Sequence, residues 1–227
     1  MNNQAFSTFE PAQLASCVVF ASPHSGSEYT AEFMAQTILD PLAIRSSEDA
    51  FVDQLFFSAR EFGAPLLAAR APRAFLDLNR SPEELDPALI EGVRRQGHNP
   101  RVASGLGVVP RVVSNGRAIY LGKLSMAEAR RRIDAYWRPY HDELARLLES
   151  SRRRFGRAIL VDCHSMPHEA MDGVSRSAAR RPDIVLGDRF GAAAGADVVD
   201  QIEAAFERAG FVVARNDPFA GAYITQA

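Results

Sequence analysis

The chain has 227 residues, 47% of them hydrophobic, which is enough for a full core without a disulfide staple. Its 26 Lys and Arg against 28 Asp and Glu leave a formal charge of −2, which gives no bias toward nucleic acid or any other polyanion. The two cysteines form no CxxC pair, which argues against a disulfide framework or a cysteine-rich zinc site.

No apolar run approaches the roughly 18 residues of a membrane span. No basic segment precedes an apolar core in the first twenty residues, so no signal peptide is expected and a cytoplasmic protein is the default. The basic clusters Arg130-Arg131-Arg132, Arg152-Arg153-Arg154 and Arg180-Arg181 read as solvated helix faces.

In chain order, residues 17–21 read as a buried strand and 29–39 as a short helix. Ser46-Ser47 before Glu48-Asp49 reads as a helix start, with Val52, Leu55, Phe56 and Ala59 on one face. Residues 65–69 and 74–76 read as strands, the second leading into Asp77-Leu78-Asn79-Arg80. Residues 81–117 hold four prolines and five glycines, a loop-rich excursion suited to a lid or to plain disorder. Residues 126–150 carry the longest amphipathic pattern, and Pro139 should kink that helix because it lacks an N–H and crowds the preceding turn. Strands follow at 158–161 and 184–186, then a helix at 198–209 and a strand at 211–214. The alternation predicts one α/β domain over residues 1–227, built around a largely parallel sheet.

Three segments deliver chemistry where strands should end: Pro23-His24-Ser25-Gly26, Asp77-Leu78-Asn79-Arg80 and Asp162-Cys163-His164-Ser165. Ligands gather at the carboxyl ends of strands in open α/β sheets. His24 is followed by Gly26, which permits a sharp turn, and by Glu28 as a reserve carboxylate. Asp162 lies two residues before His164, on the same strand face, where it can orient the imidazole or simply pair with it.

Asp49 suits two roles, a favourable charge at a helix start or the oxygen ligand of a two-histidine zinc site. Arg80 beside Asn79 can grip a carboxylate through two parallel hydrogen bonds, and Arg73 adds a second positive charge or forms a surface pair. His141 shares a face with apolar residues, as a core histidine or a second polar group near the site. His98 and His168 fall in loops without special signal, and Asn216-Asp217-Pro218-Phe219 suits a pocket wall or an ordinary turn. No GxSxG elbow and no glycine-rich phosphate loop is present.

These segments, taken in order with Glu48-Asp49 and Val52-Asp53-Gln54-Leu55-Phe56, Ile119-Tyr120, Pro139-Tyr140-His141, Met166-Pro167 and Asn216-Asp217-Pro218-Phe219, resemble the N-formylglutamate amidohydrolase family. That family is a group of zinc hydrolases related in fold to zinc carboxypeptidases and aspartoacylase. The resemblance covers nearly the whole chain. It implies a three-layer, phosphorylase/hydrolase-like sandwich around a mixed sheet, with Zn2+ held by His24, Asp49 and His164. It implies Arg80 with Asn79 as the substrate carboxylate clamp, Arg73 as the oxyanion-stabilising arginine and Asn216 as a further substrate contact.

The implied reaction is hydrolysis of an N-formyl amino acid, N-formyl-L-glutamate above all, to formate and glutamate within histidine degradation. The implied partner is a small N-acyl amino acid with a free carboxylate, with no nucleic acid or membrane involved. A zinc amidohydrolase for another N-acyl amino acid or short peptide remains open, as does a zinc-binding or carboxylate-binding protein without turnover. The family's general base, a glutamate, is expected in a segment after Ala227, so the C-terminal part of the family domain is expected to be missing here.

Overall fold

Parallel strands bring the site segments together. The computed structural model describes residues 5–94, 99–171 and 181–226, so His98 and Arg180 lie outside the described residues. The chain divides into two compact units, residues 1–165 and 166–227.

In the first unit the elements run β1 (Phe6–Phe9), β2 (Val18–Ser22), α1 (Ala31–Gln36), α2 (Val52–Leu55), β3 (Leu66–Ala69), α3 (Pro100–Ala103), α4 (Met126–Arg132), a π turn (Ile133–Trp137), α5 (Arg138–Phe155) and β4 (Ile159–Asp162). The sheet order is β1-β3-β2-β4. β2 runs parallel to both β3 and β4, while β1 is antiparallel to β3, so the sheet is mixed and the class is α/β. Val19, Ala21, Leu66 and Leu67 bury their side chains completely, as expected of strands covered on both faces.

Several expectations need correction. Residues 74–76 form no strand. The N–H groups of Phe75 and Leu76 both donate to the Pro72 carbonyl, at 2.9 and 3.2 Å, which makes a buried turn. The run is apolar because it fills the core, and a short apolar run carries no periodicity to tell a turn from a strand. No helix starts at Ser46. The Ser46 hydroxyl donates to the Ala43 carbonyl inside a 3-10 turn, Ala43–Ser47, and Glu48 is extended. Asp49 therefore sits in a link between two short turns, and the helix-dipole role falls away.

The excursion over 81–117 is well packed where described, with Leu89, Ile90, Val108, Val109 and Val113 buried. Its Val108 carbonyl accepts the Asp77 N–H at 2.8 Å. The predicted disruption at Pro139 takes the form of the π turn just before it. Arg130 and Arg131 lie on the expected solvated face, but Arg132 is fully buried. Its guanidinium donates to Glu128, the Phe75 carbonyl, Tyr120 and Gln36, and stacks 4.1 Å over the Phe75 ring. Four acceptors and an aromatic face offset the cost of burying the charge.

In the second unit, β5 (Ile184–Leu186) and β6 (Val213–Arg215) pair in parallel, joined through α6 (Ala196–Arg208). No helix among the described residues is long and apolar enough to cross a membrane.

Candidate metal centre

His24 leaves β2 two residues past its end, and His164 leaves β4 two residues past its end. The two strands are neighbours, and the ladder continues through the Cys163 N–H, which donates to the Ala21 carbonyl at 2.7 Å. The imidazole rings consequently lie with centroids 4.8 Å apart. Asp49 arrives from a distant loop and is pinned by its N–H to the His24 carbonyl at 3.0 Å. Gly26 makes the close approach possible. A Cβ on it would stand 2.1 Å from the Ala71 carbonyl oxygen, so any larger residue would push the loop off its neighbour.

One carboxylate oxygen, Asp49 Oδ2, faces both histidines. It lies 2.8 Å from His164 Nδ1 and 3.5 Å from His24 Nδ1. The opposite nitrogens are held by two further carboxylates. His24 Nε2 donates to Asp77 Oδ1 at 2.7 Å, and His164 Nε2 donates to Asp162 Oδ2 at 2.9 Å. Both Nδ1 atoms are thereby turned toward Asp49. Asn79 ties the two carboxylates together, its N–H donating to Asp77 Oδ1 and its side-chain amide to Asp162 Oδ2, each at 2.9 Å.

The donor set fits a divalent metal. His24 Nδ1 is buried without a hydrogen-bond partner, an arrangement that costs free energy unless something binds the nitrogen. One ligand atom from each of His24, Asp49 and His164 lies within 4.8 Å of the other two. Two imidazoles and a carboxylate suit zinc and leave a fourth position for water or substrate.

The electrostatics follow from these contacts. Burial opposes ionisation of Asp49 and Asp77, but His164 and His24 around the first, and His24, Arg73 and Arg80 around the second, hold both below the usual carboxylate range. Desolvation opposes a charge on His164, whose side chain keeps 31% of its surface exposed, yet Asp162 and Asp49 outweigh it and push its pKa up to about 10. A metal at Nδ1 replaces that proton. Cys163 is buried and its thiol is pushed well above its ordinary range, so it offers no thiolate.

Arg73 donates to Asp77 Oδ2 at 3.1 Å, behind His24. Arg80 is buried, with Nε donating to the Leu106 carbonyl and lying 4.0 Å from Asp77 Oδ2. Glu28 pairs with Arg70 at 2.6 Å and is not part of the metal cluster. Glu48 pairs with Arg45 at 3.0 Å. His141 is a satisfied core histidine, its Nε2 donating to the Leu78 carbonyl at 2.9 Å and its pKa lowered by burial. Asn216 belongs to the second unit. There its carbonyl oxygen accepts from the N–H groups of Asp188 and Phe190, and its amide donates to Asp188.

A family model described as N-formylglutamate amidohydrolase matches residues 16–227. The chain belongs to the N-formylglutamate amidohydrolase family. Two N-formylglutamate deformylases are similar to this family member over 216 residues, 92% of the chain and 73% of each relative. That of Pseudomonas aeruginosa is 31% identical and that of Pseudomonas putida 28%. A crystal structure of N-formylglutamate amidohydrolase from Ralstonia eutropha JMP134 matches with a TM-score of 0.90 and 35% identity, over 98% of this chain and 80% of that one. A protein from Agrobacterium tumefaciens shares the fold at a TM-score of 0.62 and 19% identity, covering 95% of this chain and 74% of that one.

Within this family member, Asp77 is the site residue that sequence reasoning left without a role. Its signal was its place two residues before Asn79, the spacing at which a carboxylate can accept a following N–H. Ile119-Tyr120 and Pro139-Tyr140-His141 also gain a meaning, since Tyr120 accepts from buried Arg132 and His141 holds Leu78.

Proposed function

We propose that this protein is a zinc-dependent hydrolase that uses water to cleave the formamide bond of an N-formyl amino acid, N-formyl-L-glutamate first, giving formate and L-glutamate. The supporting observation is the convergence of His24, Asp49 and His164, with a buried Nδ1 on His24 that makes no hydrogen bond, in a chain of the N-formylglutamate amidohydrolase family. The names of the relatives support the substrate. We take the fold as a three-layer, phosphorylase/hydrolase-like sandwich and the role as a step of histidine degradation.

His24, Asp49 and His164 would hold the zinc. When bound, it supplies an acidified water and polarises the formyl oxygen. The chain's own groups orient the ligands and hold the substrate. Asp77 and Asp162 keep the imidazoles in one tautomer and one orientation. Arg80 binds the substrate carboxylate, and the charge-assisted contact sets the distance of the formyl group from the centre. Asn79 completes that clamp, and its own carbonyl accepts from Arg80 Nη1 at 3.2 Å. Arg73, carried on the same carboxylate that orients His24, provides positive charge where the oxyanion develops.

The test is a formate-release assay with metal analysis on metal-stripped and zinc-reconstituted protein. Activity that follows one zinc per chain and is lost in His24→Ala and His164→Ala supports the assignment. Full activity of the stripped protein, or stoichiometric zinc in either folded variant, refutes it.

A further inference from the structure

One helix holds the arginine segment by three carbonyls. Arg132 Nη1 donates to the Phe75 carbonyl at 3.0 Å, His141 Nε2 to the Leu78 carbonyl at 2.9 Å and Trp137 Nε1 to the Arg80 carbonyl at 2.9 Å. The Trp137 and His141 rings stack, with centroids 3.9 Å apart. Between the held carbonyls lie Asp77, which carries His24, and Asn79, which carries Asp162.

The spacing of the three donors is informative. Trp137 and His141 are four residues apart and share a face of an ordinary α-helix. Arg132 and Trp137 are five apart. At 100° per residue an α-helix would set them about 140° apart around the axis, too far to hold one segment. The π turn spans Ile133–Trp137, between the two positions, and its i to i+5 bonding brings residue 137 nearly over residue 132. The wide turn has a structural cause, since Pro139 has no N–H to bond the carbonyl four residues back. Its consequence is that three donors point at one backbone segment.

We propose that Trp137 and His141 are positioning residues for substrate binding: phased by the π turn, they set Arg80 through its own carbonyl and that of Leu78 two residues before it. This rests on the reading of Arg80 as the carboxylate anchor. Trp137 bonds the carbonyl of Arg80 itself, so removing that bond should act on KM, with kcat and zinc content nearly unaffected.

The experiment measures kcat, KM for N-formyl-L-glutamate and zinc content of the zinc-loaded protein in a double-mutant cycle. Trp137→Phe keeps an aromatic ring beside His141 and removes the N–H together with part of the indole. It should raise KM about 3- to 10-fold, the worth of one hydrogen bond, with kcat within about twofold. In the Arg80→Lys background the same change should add almost nothing, because residues acting as a unit are not additive. His141→Gln, which keeps a donor, should hold KM near the parent value, while His141→Leu should not. An unchanged KM in Trp137→Phe, or the same fold-loss in the Arg80→Lys background, overturns the inference while leaving the anchor reading standing. An unchanged KM in Arg80→Lys alone shows instead that the anchor reading failed, and the inference falls with it. Should Trp137→Phe fold poorly, the contrast between the two His141 variants decides.

Discussion

His24 Nε2 donates to Asp77 Oδ1 across 2.7 Å, and that bond decides which nitrogen of His24 faces Asp49. Asp77 lies in a turn 53 residues further along the chain and is itself held by Arg73 and the Asn79 N–H. Removing its carboxylate frees the ring to rotate and weakens the lone pair offered to a metal. Asp77→Ala is expected to lower zinc affinity by about 10- to 100-fold, measured by competition with a chromogenic chelator. Wild-type affinity in this variant would show that Asp77 has no part in orienting His24.

Gly26 is required by the backbone it passes. Gly26→Ala places a methyl carbon against the Ala71 carbonyl, where no flexible side chain can yield. A loss of about 1–3 kcal/mol is expected from overpacking, read from the denaturant midpoint. Gly122→Ala is the control, since nothing lies within 4 Å of its added carbon. Equal midpoints for the two variants would dismiss the close-approach explanation.

Arg80→Lys keeps the charge and loses the planar fork. The expected result is a drop in kcat/KM for N-formyl-L-glutamate worth about 1.5–3 kcal/mol, with zinc content intact. A variant as efficient as the parent would exclude Arg80 as the anchor.

Glu128 is the carboxylate partner of the fully buried Arg132. Burial works against its ionisation, but Arg131 and Arg132 prevail and hold its pKa below the ordinary 4.5. A depressed carboxylate stabilises the fold fully above its unfolded value and loses that contribution as pH falls through the folded one. At pH 7 the Tm of Glu128→Gln should therefore lie below that of the parent. The gap should narrow steadily below pH 4.5, where the parent carboxylate takes up its proton. A gap independent of pH between 7 and 3 would mean that the charge on Glu128 contributes nothing.

Much of this molecule was legible because its signals are local. The apolar runs at 17–21, 65–69, 158–161 and 184–186 all coincide with strands to within a residue or two, and the helix at 198–209 coincides with α6. In each case burial on both faces or one amphipathic stripe writes itself into consecutive residues. The segments around His24, Asp77 and His164 were equally visible, since uncommon polar residues follow apolar runs in all three.

What tertiary structure alone decided was every property that depends on a distant partner. Residues 74–76 are apolar because they fill the core, with the Phe75 ring under Arg132, and the sequence does not distinguish that from a strand. Arg132 looks like its exposed neighbours Arg130 and Arg131 until its four acceptors arrive from residues 36, 75, 120 and 128. The composition of each segment determined which groups were available, two histidines, three aspartates and two arginines within short motifs. Packing across 115 residues between Asp49 and His164, and 53 between His24 and Asp77, decided which nitrogen of each ring faces the shared carboxylate. A side chain's identity is encoded at its own position, whereas its tautomer, charge and direction are set by neighbours that only the folded chain supplies.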